Sequence, residues 1–571
     1  MKRWLWLLLL FPLVFSGCEP ADGELSISSS SEASDRTDVT DLTDETEIVS
    51  SSEMTEHPTD SSSEASDTIS EPADPPVVEG TGTLVSLSLL KSDNSLLQQD
   101  LHFVIDEESR TATLTLDYQS FADISTLRSA VLSGQAEGGT LRLETDYDGT
   151  VCLTEESFCA VEDDLGNLRV YTLKVNRAAY QIPVISITLS DGKKQTDIPR
   201  DETIEMTFTM DGSPVGAEEI FSVTGTIRGR GHSTWKWDKK PYKIKFDEKV
   251  SILGMTENKD WILLANFADK SLFRNTLAYE MGRVLDGIPW SPHQYPVDLF
   301  INGVYCGVYS IGEHMEVASG RVELTEGSEV DVGYLIEVGG MENTDTMWED
   351  GFHTDKRLVK FAAYKAPDLD EITSAQRVYI REYFQLAEDA IVAGVDYEKY
   401  IDVDSFVDWI ILHELTYNLD SCFRRSCYLM KPAGGKLQMG PIWDFDLAFG
   451  NFSQDEKTYD NWITVGSSDS EAYIAENWCT YLMKDPAFRK RLKARWEEVR
   501  DELLTTANQT IDKYSAFLDG SQQENFAVWK IWGKRAGYQS KWCSAANTYE
   551  KQIKYLKDFL TKRAAWIDKN I

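Results

Sequence analysis

The sequence predicts an α+β protein, in which a strand-rich lobe and then a helical lobe fill 179–571, preceded by a small all-β sandwich over 81–178. Three observations predict this. Short runs that alternate apolar and polar residues, such as "TATLTLDY" and "RVYTLKVN", are separated by Asp, Gly and Asn turns before residue 178, the pattern of half-buried strands. Strand-like runs return in "VISITLS", "TIEMTFTM" and "YKIKF". Apolar positions then take up helical spacing in "DKSLFRNTLAYEMGRVL", "VDSFVDWIILHELTYNL" and the C-terminal segments. A chain of 571 residues, 42% hydrophobic, has ample material for more than one core.

The N-terminus precedes all of this. "MKRWLWLLLLFPLVFSGCEP" joins a basic start (Lys2, Arg3) to an apolar run that ends in Ser16, Gly17 and Cys18. The run falls short of the ~20 residues a bilayer requires, so it reads as an export signal. Its end resembles the lipobox of bacterial lipoproteins, which makes Cys18 the expected lipidated residue after a signal peptide over 1–18. The mature chain is then expected outside the cytoplasm, tethered to the cell membrane.

Residues 19–80 are Ser, Thr, Asp, Glu and Pro, with 18 acidic residues against the single Arg36. Such a segment cannot bury enough apolar surface to offset its chain entropy, so a disordered spacer is expected. Close to half of the net charge of −39 sits there. The charge argues against nucleic acid or an anionic membrane surface as a partner, because both need clustered Lys and Arg.

The sandwich of 81–178 ends in "DLGNLRVYTLKVNR", which resembles the last hairpin of bacterial Ig-like modules. No catalytic residue set falls inside it. Cys152 and Cys159 are close enough in sequence to bridge in an oxidising compartment. The remaining cysteines show no zinc-type spacing and read as buried thiols.

Three segments of 179–571 carry residues suited to chemistry. In "TIRGRGHSTWKWDKKPYKIKF" a turn with Gly229 and Gly231 can bring backbone N–H groups near a phosphate, with Lys240, Lys243 and Lys245 as the cations to neutralise it. Glu280, in a predicted helix, and Glu313, after the Asn302-Gly303 hairpin, are candidate partners for such a lysine. In "HELTYNLDSCFRRSCYLMK", Asp420 follows a helix, and "MGPIWDFDLAFGN" brings Asp444 and Asp446 two dozen residues later. On a strand those two carboxylates would share a face and raise each other's pKa unless a cation intervened. A carboxylate after a helix, a hairpin and a second carboxylate is how kinase-type folds arrange base and metal ligand.

Four ordered blocks resemble the CotH-type kinases: "RGHSTW" with "KKPYKIKF", the block from Trp261 to Arg283, "INGVYCGVYSIGE" ending at Glu313, and "PIWDFDLAFG" at 441–450. The resemblance implies an atypical, two-lobed protein kinase that uses ATP and Mg²⁺ (or Mn²⁺) and phosphorylates serine in secreted or surface proteins. It places the catalytic aspartate at Asp420 and the metal-binding aspartate at Asp444, with Asp446 as a second ligand or an orienting group. Lys245 is the first choice for the phosphates, with Lys240 and Lys243 as rivals. Two positions depart from the family pattern: His232 stands for the usual asparagine, and Ser426 stands near where many members carry another. The serine-rich stretch 26–70 is a possible internal substrate. The alternative is an inactive kinase-like module that binds cell-wall or plant polysaccharide.

Overall fold

The computed structural model describes residues 78–217, 220–339, 351–453, 459–468 and 473–571. The signal segment, Cys18 and the acidic stretch with 26–70 lie outside the described residues.

The alternating runs that follow do form strands: β1 (Thr83–Leu89), β2 (Leu101–His102), β3 (Val104–Asp106), β4 (Thr111–Leu116), β5 (Leu132–Glu137), β6 (Thr140–Leu143), β7 (Ser157–Glu162) and β8 (Leu168–Arg177), with the short helix α1 (Ile124–Arg128) between β4 and β5. They make a three-stranded sheet β2-β1-β5 and a five-stranded sheet β3-β4-β8-β7-β6. The inward residues of both, among them Leu87, Leu114, Val161 and Tyr171, close one core. Cys152 and Cys159 are free thiols: Cys159 packs in that core, and Cys152 Sγ lies 3.2 Å from Thr154 Oγ1.

Seven strands then close a barrel: β9 (Val184–Leu189), β10 (Ile204–Asp211), β11 (Ile220–Gly229), β12 (Tyr242–Val250), β13 (Asn258–Leu264), β14 (Gln294–Ile301) and β15 (Val304–Glu313), with helix α2 (Arg274–Gly282) inserted before β14. The order is β10-β11-β12-β13-β15-β14-β9, and the parallel β14–β9 pair completes the ring. Period-2 alternation fills it: Tyr242, Ile244, Phe246, Trp261, Leu263, Tyr309 and Ile311 are all buried inside. Lys243 and Lys245 therefore point outward. The predicted hairpin at Asn302-Gly303 joins β14 to β15, both turn residues having positive φ.

Beyond the barrel come β16 (Tyr334–Gly339), β17 (Phe361–Ala366), α3 (Ser374–Ala393), α4 (Val403–Thr416), β18 (Cys427–Lys431), β19 (Gln438–Met439), α5 (Trp478–Leu482), α6 (Pro486–Phe517), α7 (Asp519–Val528), α8 (Lys541–Ala545) and α9 (Tyr549–Asn570). The sheet order is β17-β16-β18-β19. The large core belongs to this part and is built around α4, whose Phe406, Trp409, Ile410 and Leu415 are buried on all sides. Among the described residues no helix is long and apolar enough to cross a membrane.

Two seams lock these parts together. Phe121, beside α1, stacks on Phe300 of β14 with ring centroids 3.7 Å apart, and Asp298 accepts from Tyr118 at 3.0 Å, Tyr305 at 2.6 Å and Ser521 of α7 at 2.7 Å. Lys239, one of the two lysines of "KKPY", is buried rather than free for a ligand. It donates to the Val308 carbonyl and to Asn525 Oδ1 of α7, pinning that helix to the barrel wall.

Candidate active site

The loop after α4 and the loop after β19 meet. Tyr417 ends α4 in the left-handed region, which turns the chain sharply and presents Asn418, Asp420 and Ser421. The second loop does not run as a strand. β19 stops at Met439, and Asp444 has φ of 67°, so the shared face expected from strand alternation is not what joins Asp444 to Asp446. A web of hydrogen bonds holds the bend instead. The Asp444 carbonyl accepts from Asn418 Nδ2 at 3.1 Å and Ser421 Oγ at 3.0 Å, and its N–H donates to the Tyr279 hydroxyl at 3.3 Å. The Phe445 N–H donates to Asn275 Oδ1 at 2.6 Å. Tyr279 and Asn275 both belong to α2, so this helix supports the bend from the barrel side.

The result is that Asp420, Asp444 and Asp446 converge. Burial, and then repulsion from Asp420, hold the Asp444 carboxyl above the usual carboxylate range. Asp446 is pushed higher still, by burial and by Asp444, Asp420 and Asp269 together. Asp444 Oδ2 accepts from Ser426 Oγ at 3.1 Å, so the serine at the departing position acts directly on this carboxylate. The FGN turn is tied to the Asp446 backbone and not to its side chain: Asn451 Nδ2 donates to the Asp446 carbonyl at 2.8 Å. That leaves the Asp446 carboxylate to face the other two. Asp420 Oδ1 accepts from the Tyr473 hydroxyl at 2.7 Å.

The cation opposite Asp444 is Arg230. Burial lowers its pKa and Asp444 raises it, with Tyr279 and Tyr428 beside it. The glycine turn thus reaches the carboxylates through an arginine side chain. Its amides are engaged elsewhere, since the Gly229 N–H donates to the Pro199 carbonyl at 2.7 Å and the Arg230 N–H to the Pro241 carbonyl at 3.2 Å. Gly229 is required for packing, because a Cβ there would lie 2.3 Å from the Trp235 ring.

The lysines divide. Lys243 is partly buried and pairs with Asp260 at 2.8 Å, near His314, whose pKa is lowered first by burial and also by Lys243 and Arg230. Lys245 lies 63% exposed and 4.0 Å from the same Asp260, so the first choice among the lysines is the one least held in place. Lys240 donates to the Trp235 carbonyl at 2.7 Å. Glu280 pairs with Arg283 at 2.6 Å, and Glu313 accepts from the His293 N–H at 2.8 Å; neither pairs with one of the lysines. On the sheet side Glu337 pairs with Lys365 at 2.9 Å and also receives the N–H of Ser426 at 3.1 Å.

Sequence reasoning missed Arg230, Asn418 and Tyr473, and singled out Ser426 only as a departure from the family pattern. Arg230 had a signal, a lone arginine set between the two turn glycines. Tyr473 had none, since it arrives from 53 residues beyond Asp420.

Comparison with protein families shows what this stretch is. The family model of the CotH kinase protein matches residues 227–567, more than half of the chain and every charged residue just described. The chain belongs to the CotH kinase family. No curated protein matches it. CotH membership suggests a kinase, and kinases in general use ATP with a divalent metal.

The residues present fit such a metal. Oxygen donors converge in a buried setting, where burial first and mutual repulsion second raise the Asp444 and Asp446 carboxyl pKa values. Asn418 Oδ1 is a buried acceptor with no hydrogen-bond partner, on the same loop as Asp420. Among the described residues no group of three or more His, Cys, Asp or Glu is placed to hold a metal ion by itself. Mg²⁺ does not ask for one, because it takes one or two carboxylates and completes its shell with waters and phosphate oxygens.

Proposed function

We propose that this CotH family chain is an extracytoplasmic, membrane-tethered protein kinase that transfers the ATP γ-phosphate to serine hydroxyls of secreted or surface proteins. The observation that carries the reading is the convergence of Asp420 with Asp444 and Asp446 opposite Arg230. A phosphoryl-transfer site needs two kinds of carboxylate, one to accept a proton and one to hold positive charge against phosphate. Asp420 is the base. It sits on a loop with one oxygen already engaged by a hydroxyl, the contact a base makes with the proton it removes.

Asp444 and Asp446 would hold the divalent metal, with the Asn418 carbonyl oxygen as a further donor. When bound, the ion supplies neutralisation of phosphate charge. Ser426 and the α2 residues Tyr279 and Asn275 keep Asp444 in its bend. Arg230 adds a fixed positive charge on the barrel side, where a guanidinium suits phosphate oxygens. Lys243 is the best-placed lysine to assist it, because its pairing with Asp260 fixes its stem. Tethering through Cys18 and the use of the serines of 26–70 as an internal substrate belong to the same proposal.

The test is transfer of labelled phosphate by the mature chain to candidate secreted proteins, with MgATP binding measured in parallel. The wild type should bind MgATP and transfer label. Asp420→Ala should bind MgATP but not transfer. A wild type that binds polysaccharide and neither binds nor uses ATP would overturn the kinase reading in favour of an inactive binding module.

A further inference from the structure

We propose that Tyr473 is itself a phosphoryl acceptor, the first hydroxyl that Asp420 serves. The inference rests on the kinase reading above and extends it to a modification site in the chain. The Tyr473 hydroxyl donates to Asp420 Oδ1 at 2.7 Å, so it occupies the place a substrate hydroxyl must take. It is held there by contacts that no regular element imposes, since residue 473 lies outside every helix and strand. The Arg424 guanidinium stacks 3.9 Å from the ring centroid and Arg424 Nη1 donates to the Tyr473 carbonyl at 3.2 Å. Phe452 meets the ring edge-on at 5.4 Å. Burial, and then Asp420, raise the phenol pKa. Like a serine, it therefore reaches the base with its proton on.

Asp420 takes the phenolic proton while the phenolate oxygen bonds to the γ-phosphorus of ATP. The bond from that phosphorus to the β–γ bridging oxygen breaks, and ADP leaves with the electron pair. Asp420 then gives its proton to water. The product is O-phosphotyrosine beside three aspartates, a placement that like-charge repulsion makes untenable. Arg424, already stacked on the ring, is the cation at hand to draw the phosphate away. Once Tyr473 withdraws, Asp420 Oδ1 is open to an external serine, so the modification also primes the enzyme.

The experiment follows the full mature chain over time with MgATP and a synthetic peptide of sequence 26–70, mapping phosphate by mass spectrometry. Phosphate should appear on Tyr473 first, at a rate independent of protein concentration, and be absent in Asp444→Ala. Transfer to the peptide should show a lag in the wild type. Tyr473→Phe should lose the lag and start about tenfold faster, because a hydrogen bond to a charged carboxylate no longer competes with the incoming serine. Peptide transfer with Tyr473 unmodified throughout would overturn the inference and leave the kinase reading intact. A slower Tyr473→Phe would also overturn it, making Tyr473 a positioning residue. A wild type that transfers to neither acceptor would refute the kinase reading itself.

Discussion

Buried carboxylates occur in two very different settings in this molecule. Glu414, on α4, receives the N–H groups of Ile463 at 3.0 Å and Thr464 at 2.7 Å, the Thr464 hydroxyl at 2.5 Å and Arg563 Nη2 of α9 at 2.5 Å. Asp298 receives three hydroxyls. Asp444 has the Ser426 hydroxyl and the Asp446 carboxyl hydrogen-bonded to its own and otherwise faces Asp420 and Arg230. A carboxylate saturated by donors is part of the fold. One left short of donors beside its own kind is held there by the fold, at a cost to the unliganded protein, for something that arrives later.

That contrast can be broken by mutation, because the two settings predict opposite outcomes. At the unsaturated cluster, Asp420→Ala should lower phosphoryl transfer by about 10²- to 10⁴-fold without lowering the thermal midpoint. Asp444→Ala should lose transfer together with the rise in midpoint that MgATP gives the wild type. A large loss of stability in either variant would move these residues into the structural class. At the saturated positions the order reverses. Glu414→Ala strands Arg563 in the core and should cost about 3–5 kcal/mol in urea unfolding.

Asp298→Asn turns one acceptor oxygen into a donor facing hydroxyls, with an expected loss of about 1–3 kcal/mol in the same measurement. Burial raises the Asp298 pKa to about 6, so part of the wild-type stability is present at low pH and fades as pH rises through that value. The smallest effect sharpens the contrast most. Asp446 also has a raised pKa, which means that its ionised form is the one the fold penalises. Asp446→Asn should therefore raise the midpoint of the metal-free protein at pH 8, by on the order of 1 °C, and change it little at pH 4. A fall at pH 8 would show that the carboxylate is already satisfied.

The saturated carboxylates were the illegible ones. Glu414 and Arg563 are separated by 149 positions, and nothing local in "HELTYNL" announces an arginine partner from the last helix. The cluster was easier, because Asp420, Asp444 and Asp446 lie on consecutive loops and carry a family pattern. Its geometry was not legible, since "WDFDLAFGN" reads as a strand while hydrogen bonds with Asn418, Ser421 and Tyr279 bend it at Asp444. Strands β9 to β12 and the β14–β15 hairpin were readable locally, while β13 and the closure of the barrel were not, because closure depends on the non-local parallel pairing of β14 with β9. The different settings of the lysines were not legible for a similar reason. Strand alternation sets Lys243 and Lys245 on the same face, and only the position of Asp260 on the neighbouring strand separates them.

The stack of Phe121 on Phe300, with the hydroxyls gathered at Asp298, makes the sheets of 83–177 and the barrel one mechanical piece. A pull applied at β1 is then delivered to the barrel wall, and through Ser521 to α7.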